Sequence, residues 1–218
     1  MKQVLKGLQL ILLCGIVACS SQGRSVEQDI TRRVYVGFAS GDTNEEKVVT
    51  TILRKAIKPQ GPWSTVPAWL DVDVLSSSHY VVYGGAVQRT SYQSGLHQKL
   101  SQQVVEKTAE REDPTALYEG LKRLSYILKQ SNGNTQVYAV IVTKGIGHSD
   151  DNTASAAQKN GLEPLIQAIA SEQQKLARLC LYGVQGEVRT QTGSLFEGIP
   201  RDKVTVASLQ EEISNCLP

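Results

Sequence analysis

Three short runs of unbroken apolar residues stand out between the polar segments of this chain. They span 34–39, 137–142 and 179–184, and none of them alternates regularly with polar positions. A strand that is buried on both faces, as in the middle of a parallel sheet, has this continuous pattern. Two further runs, 70–75 and 80–83, are separated by turn residues and predict an antiparallel hairpin.

Apolar residues recur at three- and four-residue steps in the segments between these strands. The steps predict one helix capped by Thr43, a second that begins at Asp113 and Pro114, and a third through 162–176. A more polar helix is expected over 94–111. Alternating strands and helices predict an α/β fold, a doubly wound, mostly parallel central sheet flanked by helices, with the antiparallel hairpin at its edge.

The remaining segments carry weaker patterns. Residues 145–160 and 185–200 are polar and predict loops, while 204–206 predicts a last edge strand and 209–216 a closing helix. Residues 70–75 alternate in part between apolar and acidic positions. That alternation predicts a half-buried or edge strand.

The N-terminal segment is basic at first and then apolar. Lys2 and Lys6 precede an apolar run that ends at Cys19 in the residues Ile-Val-Ala-Cys. The run is too short to span a membrane and has the layout of a secretory signal. Its end resembles the lipobox of bacterial lipoproteins, which implies cleavage before Cys19 and a lipid such as palmitate on that residue. No Asp follows Cys19, so the pattern resembles an outer-membrane lipoprotein of a Gram-negative cell. A plain signal peptide cleaved nearby is the alternative.

These features divide the chain into a lipoprotein signal at 1–18, a lipidated cysteine with a polar tether at 19–32, and one α/β domain at 33–218. The whole chain has 23 basic and 21 acidic residues, and removal of Lys2 and Lys6 with the signal leaves 21 of each. A formally neutral protein offers nothing that attracts nucleic acid or an anionic membrane surface. We therefore expect contact with the membrane through the lipid anchor and no nucleic-acid partner.

Two cysteines remain in the expected domain. Cys180 and Cys216 could pair in an oxidising compartment, and a bond that closes so long a loop stabilises a fold by about 3–4 kcal/mol. Alternatively, Cys180 is a buried strand cysteine and Cys216 a loose one near the C-terminus. Two isolated cysteines do not make a zinc framework.

Three local segments resemble the motifs of von Willebrand factor type A domains, in the same order along the chain. Residues 40–42 stand where that family has Asp-x-Ser-x-Ser after the first strand. Residues 113–119 resemble its threonine loop, and 140–145 resembles its strand that ends in Thr-Asp-Gly. The resemblance covers roughly 33–216. It implies the same doubly wound fold, with a site at the carboxyl ends of the strands.

The resemblance also implies a divalent cation at that site, but the residues depart from the family pattern. Phe38 stands at the first aspartate of the motif and Lys144 at the aspartate of Thr-Asp-Gly. Ser40 and Thr115 match, and Asp42 replaces the second serine. Hard cations need oxygen ligands, and an ammonium group beside them is repulsive. We expect no cofactor; a rearranged metal site that uses Ser40, Asp42 and Thr115 is the disfavoured alternative.

The family resemblance and these departures together indicate a non-enzymatic, lipid-anchored module outside the cytoplasm that binds another protein of the cell envelope. The contact would form at the loops 40–44, 113–115 and 144–153, which meet at one edge of the sheet. Lys144 has two interpretations, a solvated strand-end lysine or an ammonium group that meets a partner carboxylate directly. The binding residues expected from this reasoning are Ser40, Asp42, Thr115 and Lys144.

Two other functions stay open at this point. Residues 38–43 resemble the Gly-Asp-Ser block of secreted lipases and esterases, which would make Ser40 or Thr43 the nucleophile of a hydrolase. No Asp-x-x-His follows near the C-terminus to supply the acid and base. A peptidoglycan-binding role for the lipoprotein is the other alternative.

Overall fold

The structure is a computed structural model that describes residues 32–39, 46–58, 68–76, 80–108, 115–145, 152–211 and 213–217. In chain order the elements are β1 (Arg32–Ala39), α1 (Glu46–Ala56), β2 (Ala68–Leu75), β3 (Tyr80–Val87), α2 (Arg89–Gln93), α3 (Leu96–Thr108), α4 (Ala116–Gln130), β4 (Gln136–Val142), α5 (Asn152–Ser171), β5 (Leu176–Tyr182), α6 (Gly186–Ser194) and β6 (Val204–Ala207). Short 3₁₀ turns lie at Arg201–Lys203 and Ile213–Asn215.

Six strands form one sheet in the order β3-β2-β1-β4-β5-β6. All neighbouring strands are parallel except β2 and β3, which are antiparallel. The sequence prediction of a doubly wound, mostly parallel sheet with an antiparallel edge hairpin is therefore confirmed. A sheet of this kind carries helices on both faces.

The central strands are buried on both faces, which explains their unbroken apolar runs. On one face, Val34, Val36 and Phe38 of β1 pack against α1 and α3. On the other face, Tyr35 and Ala39 pack against α4 and α5. Each side of β1 thus belongs to a separate core, and both cores need apolar residues at every position.

Helix α4 packs closely on the sheet at a glycine. A β-carbon on Gly120 would come within 3.0 Å of Leu75 and 3.2 Å of Ile141, so the helix backbone lies directly on β2 and β4. Leu75 ends β2 and Ile141 is the second-last residue of β4. The first turns of α4 therefore lie at the carboxyl edge of the parallel strands.

Several sequence predictions about the helices and loops are wrong in their bounds. The expected loop 145–160 gives way to α5 from Asn152, and Leu176 begins β5 instead of ending the preceding helix. The expected loop 185–200 contains α6, whose one fully buried residue is Thr192, so no apolar period marks it. Helix α4 begins at Ala116 after Thr115; Asp113 and Pro114 lie outside the described residues.

The closing helix expected over 209–216 is also wrong. Its described residues form a turn at 209–211 and the 3₁₀ turn Ile213–Asn215. The hydroxyl of Tyr182 lies within hydrogen-bond distance of the carbonyl oxygens of Leu209 (3.1 Å) and Glu211 (2.8 Å), which holds this segment against β5.

A disulfide joins Cys180 of β5 to Cys216, with 5.3 Å between their α-carbons. Both cysteines are fully buried in the core beneath α1 and α3. The bond closes a sequence separation of 36 residues. It therefore fixes the C-terminal segment to the sheet, as the pairing alternative of the sequence analysis expected.

Residues 1–31, including Cys19, lie outside the described part of the chain. Among the described residues, no helix has both the length and the apolar character that crossing a membrane requires.

Candidate functional site

The loop after the central strand β4 is built tightly at the carboxyl edge of the sheet. The Thr143 amide donates to the carbonyl oxygen of Tyr182 at 2.9 Å, and the Gly145 amide donates to the Thr143 hydroxyl oxygen at 3.2 Å. Gly145 has φ of +96°, where a side chain would be strained. A β-carbon there would also come 2.9 Å from side-chain atoms of Val188 and Thr192 in α6. The loop therefore needs glycine at 145.

This loop presents Lys144 to solvent. Thr143 on one side is buried, and Gly145 on the other is held against α6, while Lys144 itself is exposed. An exposed ammonium group thus lies directly after a strand whose last four residues are buried. Loops at the carboxyl ends of strands are the usual ligand sites of open α/β sheets.

Thr115 lies at the same edge, at the start of α4. Its carbonyl oxygen accepts a hydrogen bond from the Glu119 amide at 3.0 Å, which makes it the cap residue of that helix. The residue is exposed. Of the four expected binding residues, the structure places Thr115 and Lys144 at one edge, whereas Ser40 and Asp42 lie outside the described residues, as does Thr43.

A second polar feature, which the sequence analysis missed, is buried between β1, β2 and α4. Asp71 and Asp73 of β2 are 2% and 0% exposed. Arg33 makes two bonds to Asp71, at 2.7 and 3.1 Å, and the Trp69 indole N–H donates to the same carboxylate at 3.3 Å. Arg123 of α4 bonds Asp73 at 3.2 Å and lies 3.7 Å from Asp71. We call these four side chains, Arg33, Asp71, Asp73 and Arg123, the charge cluster.

The strand register explains why the charge cluster forms. Asp71 is paired with Tyr35 and Asp73 with Gly37 on the neighbouring β1, so all of them face α4. The Tyr35 hydroxyl occupies the space above Gly37, where a β-carbon would be 2.8 Å from it. Burial raises the pKa of Tyr35 well above its usual range, and the charge of Asp73 raises it further. Tyr35 therefore stays protonated beside the cluster.

The prediction that 70–75 is a half-buried or edge strand is thereby corrected. Strand β2 lies between β1 and β3 and is buried on both faces. Its two carboxylates tolerate burial because each is paired with an arginine. The alternation of the strand was real, but its polar positions face arginines instead of water.

Comparisons with known proteins identify the fold. No family model and no curated protein matches the chain. Solved structures do match: the PilB minor pilin of Streptococcus sanguinis at a TM-score of 0.51, manganese-loaded TRAP of Plasmodium vivax at 0.50, and proximal thread matrix protein 1 of the mussel byssus at 0.50. The sequence identities are 10%, 13% and 14%. The fold is von Willebrand factor A-like.

The likeness covers most of this chain but only part of some of those proteins. Between 84% and 86% of the chain is matched. The matched region is 42% of the mussel protein, 59% of PilB and 72% of TRAP. At these identities the likeness establishes the fold and nothing about the ligand.

The described positions of the family's metal site do not fit a divalent cation. Phe38 is fully buried in the core beneath α1 and supplies no oxygen. Lys144 supplies a positive charge, which repels a cation. Thr115 is the one described position of these three with a side-chain oxygen. The described positions thus offer a cation too few oxygen ligands, and we derive no role for a metal.

The charge cluster generates a stability prediction. Replacement of Arg123 by Met leaves Asp73 buried without its arginine, so we expect a loss of about 3 kcal/mol in the free energy of unfolding. Lys122→Met is the matched control, because the neighbouring Lys122 side chain is 58% exposed and should change stability little. Urea denaturation of both variants measures the difference. Equal losses in the two variants would show that the cluster is not what holds α4 to β2.

Proposed function

We propose that this protein is a non-enzymatic module that binds another protein at the carboxyl edge of its sheet. The observation that carries the proposal is the geometry of the β4 loop. Thr143 and Gly145 fix the backbone on either side of Lys144, so the ammonium group is presented from a rigid support. A charged side chain on a fixed backbone loses less backbone entropy on binding than one on a mobile loop.

The positive charge of Lys144 indicates which chemical group a partner would supply at this edge. TRAP is manganese-loaded in its matching crystal structure, whereas here an ammonium group stands at the edge. In this proposal Lys144 bonds a carboxylate of the partner directly, and Thr115 adds a hydroxyl, together with Ser40 and Asp42, which follow β1 in the sequence. Charge-assisted hydrogen bonds of this kind are stronger than neutral ones. The site is thus a metal-free version of an adhesion site.

The proposal also places the module at the membrane of the cell envelope. The lipobox-like ending at Cys19 supports a lipid on that residue, with the following polar segment as a tether. A lipid anchor would hold the domain near the surface of the outer membrane in a Gram-negative cell, facing the periplasm. The partner is then a protein of the same envelope.

The binding proposal predicts that Lys144→Glu strongly weakens partner capture without unfolding the domain. Like charges in an interface cost several kcal/mol, so affinity should fall by about a hundredfold or more. Lys129→Glu is the matched control, since Lys129 is exposed on the last turn of α4, at the other end of the helix. The measurement is quantitative mass spectrometry of envelope proteins cross-linked to each full-length variant.

Selective loss of the same captured proteins in Lys144→Glu, with an unchanged melting temperature, supports the site. Capture that is equal in both variants would contradict it. Equal capture would instead favour a contact elsewhere, such as the peptidoglycan alternative, for which cosedimentation with cell-wall sacculi is the direct assay.

The anchoring proposal predicts that Cys19→Ser prevents lipidation. Cells labelled with a palmitate analogue should incorporate label into the unsubstituted protein and into Cys14→Ser, but not into Cys19→Ser. Cys14 is a close control because it lies five residues before Cys19, within the expected signal. Label that persists in Cys19→Ser, or is absent from the unsubstituted protein, would refute the anchor.

A further inference from the structure

Basic side chains collect at the amino edge of the sheet, which lies opposite the candidate site. Helices α1, α4 and α5 each precede a parallel strand, so they end at this edge. Arg54 and Lys55 are in the last turn of α1, Lys58 follows that helix, and Lys129 is in the last turn of α4. The Arg32 guanidinium at the start of β1 donates to the Lys58 carbonyl oxygen at 3.3 Å, which holds the end of α1 beside the strand.

Three more basic residues continue this edge toward β6. Lys175 lies between α5 and β5, and Arg201 and Lys203 lie in the 3₁₀ turn before β6. Hydrogen bonds hold these segments side by side. The Lys175 ammonium group donates to the Leu128 carbonyl oxygen at 3.1 Å, and that of Lys203 donates to the Gln173 carbonyl oxygen at 2.6 Å. We call the whole set the basic edge: Arg54, Lys55, Lys58, Lys129, Lys175, Arg201 and Lys203.

The positive charge of the basic edge exceeds what its surroundings neutralise. Three described acidic residues lie in the same segments, Glu172, Glu197 and Asp202, so seven basic and three acidic side chains leave a net charge of +4. Cations at the ends of helices also compensate the helix dipole, which places about −0.5 charge at each C-terminus. Three helix ends therefore account for about −1.5, less than half of the excess.

The carboxyl edge has no such excess among its described residues. Oppositely charged neighbours occur there at the start of α1, at the end of α3, and between α6 and the segment after β6: Glu46 and Lys47, Glu106 and Lys107, and Arg189 and Glu211. The two edges of the sheet thus differ in charge. The near-neutral composition of the whole chain conceals this difference, because composition does not report where the charges lie.

The chain enters the domain at the basic edge. Strand β1 begins there at Arg32, thirteen positions after Cys19. A coil of that length spans about 20 Å. A lipid on Cys19 would therefore bring the basic edge close to a bilayer and leave the candidate site on the far side of the domain.

We propose that the basic edge is a docking surface for an anionic phospholipid bilayer, and that this contact orients the domain with its candidate site away from the membrane. The inference rests on the lipid anchor of the proposed function. Lysine and arginine side chains are attracted to anionic headgroups, and the attraction decays over a Debye length of about 8 Å at physiological salt. The anchor supplies proximity, and the basic edge supplies orientation.

Energy transfer from the domain to labelled lipids tests this orientation in the full-length protein. A donor fluorophore is attached at Gln174→Cys, in the turn between α5 and β5, or at Gln185→Cys, directly before α6 at the carboxyl edge; both positions are exposed. The protein is bound to vesicles that contain acceptor-labelled lipid, made of phosphatidylcholine alone or mixed equally with phosphatidylglycerol. The unsubstituted chain is the control for fluorophore attached at Cys14 or Cys19.

The proposal predicts that the label at 174 transfers at least about twofold more than the label at 185 on the anionic vesicles, because a seven-residue strand separates the two edges by roughly 20 Å. The ratio should fall to its phosphatidylcholine value in about 1 M salt, where the Debye length is about 3 Å. A ratio that is the same on both kinds of vesicle and insensitive to salt would overturn the proposal. It would leave an acidic protein as the occupant of the basic edge.

Charge reversal at the basic edge provides the matched comparison. Lys58→Glu combined with Arg201→Glu changes its net charge from +4 to zero and should bring the transfer ratio on anionic vesicles down to the phosphatidylcholine value. The control combines Lys47→Glu with Lys107→Glu, two exposed residues of the carboxyl edge, and should leave the ratio unchanged. Circular dichroism melting checks that both variants are folded. Equal effects of the two pairs would contradict a role for this particular edge.

Attachment to the vesicles separates this inference from the anchor. Protein that attaches to anionic vesicles but not to phosphatidylcholine would refute the anchor and support the basic edge. Protein that attaches equally to both, with equal transfer from 174 and 185, would support the anchor and overturn the basic edge. Attachment to neither would contradict both.

Discussion

The pairing of two buried aspartates with two arginines is the constraint on which the rest of this structure depends. Asp71 and Asp73 sit in a strand that is covered on both faces, where unpaired carboxylates would be prohibitively costly. Arg33 and Arg123 compensate them from β1 and α4. That compensation lets β2 take an internal place in the sheet, which leaves β3 as the edge. It also ties α4 to the strands whose ends form the candidate site.

The packing of α4 against the sheet also makes the candidate site rigid. Helix α4 lies directly on β2 and β4 at Gly120, so its first residue sits at the carboxyl edge. The β4 loop is held from the other side by α6, through Gly145 and Val188. The backbone that carries Lys144 is therefore fixed between two elements, so binding at this side chain would not have to order the loop. The von Willebrand factor A-like fold thus supplies a rigid edge, and the local residues determine its chemistry.

The fold could be predicted from the sequence because the strongest apolar patterns indicate which strands and which helix faces are buried. The continuous run at 137–142 indicated a central strand, and the leucine steps before it indicated α4. It failed where polar residues are buried. The sequence pattern predicted that Asp71 and Asp73 face solvent, because their partners Arg33 and Arg123 lie far away along the chain. It failed also at α6, which buries too little apolar surface to show a period. At the candidate site, the order of the family-like motifs predicted that Thr115 and Lys144 lie at the same edge of the sheet. No sequence pattern predicted that Gly145 holds the β4 loop against α6.

The central claim is that an ammonium group replaces a bound cation at this edge, and a metal titration tests it most directly. The melting temperature of the full-length protein is measured against increasing calcium, magnesium and manganese. A ligand at a hundredfold excess over its dissociation constant stabilises a fold by about 2.7 kcal/mol, so specific binding would raise the melting temperature measurably. The account predicts no saturable rise with any of the three ions. A saturable rise that disappears in Asp42→Ala would contradict it and establish a rearranged metal site.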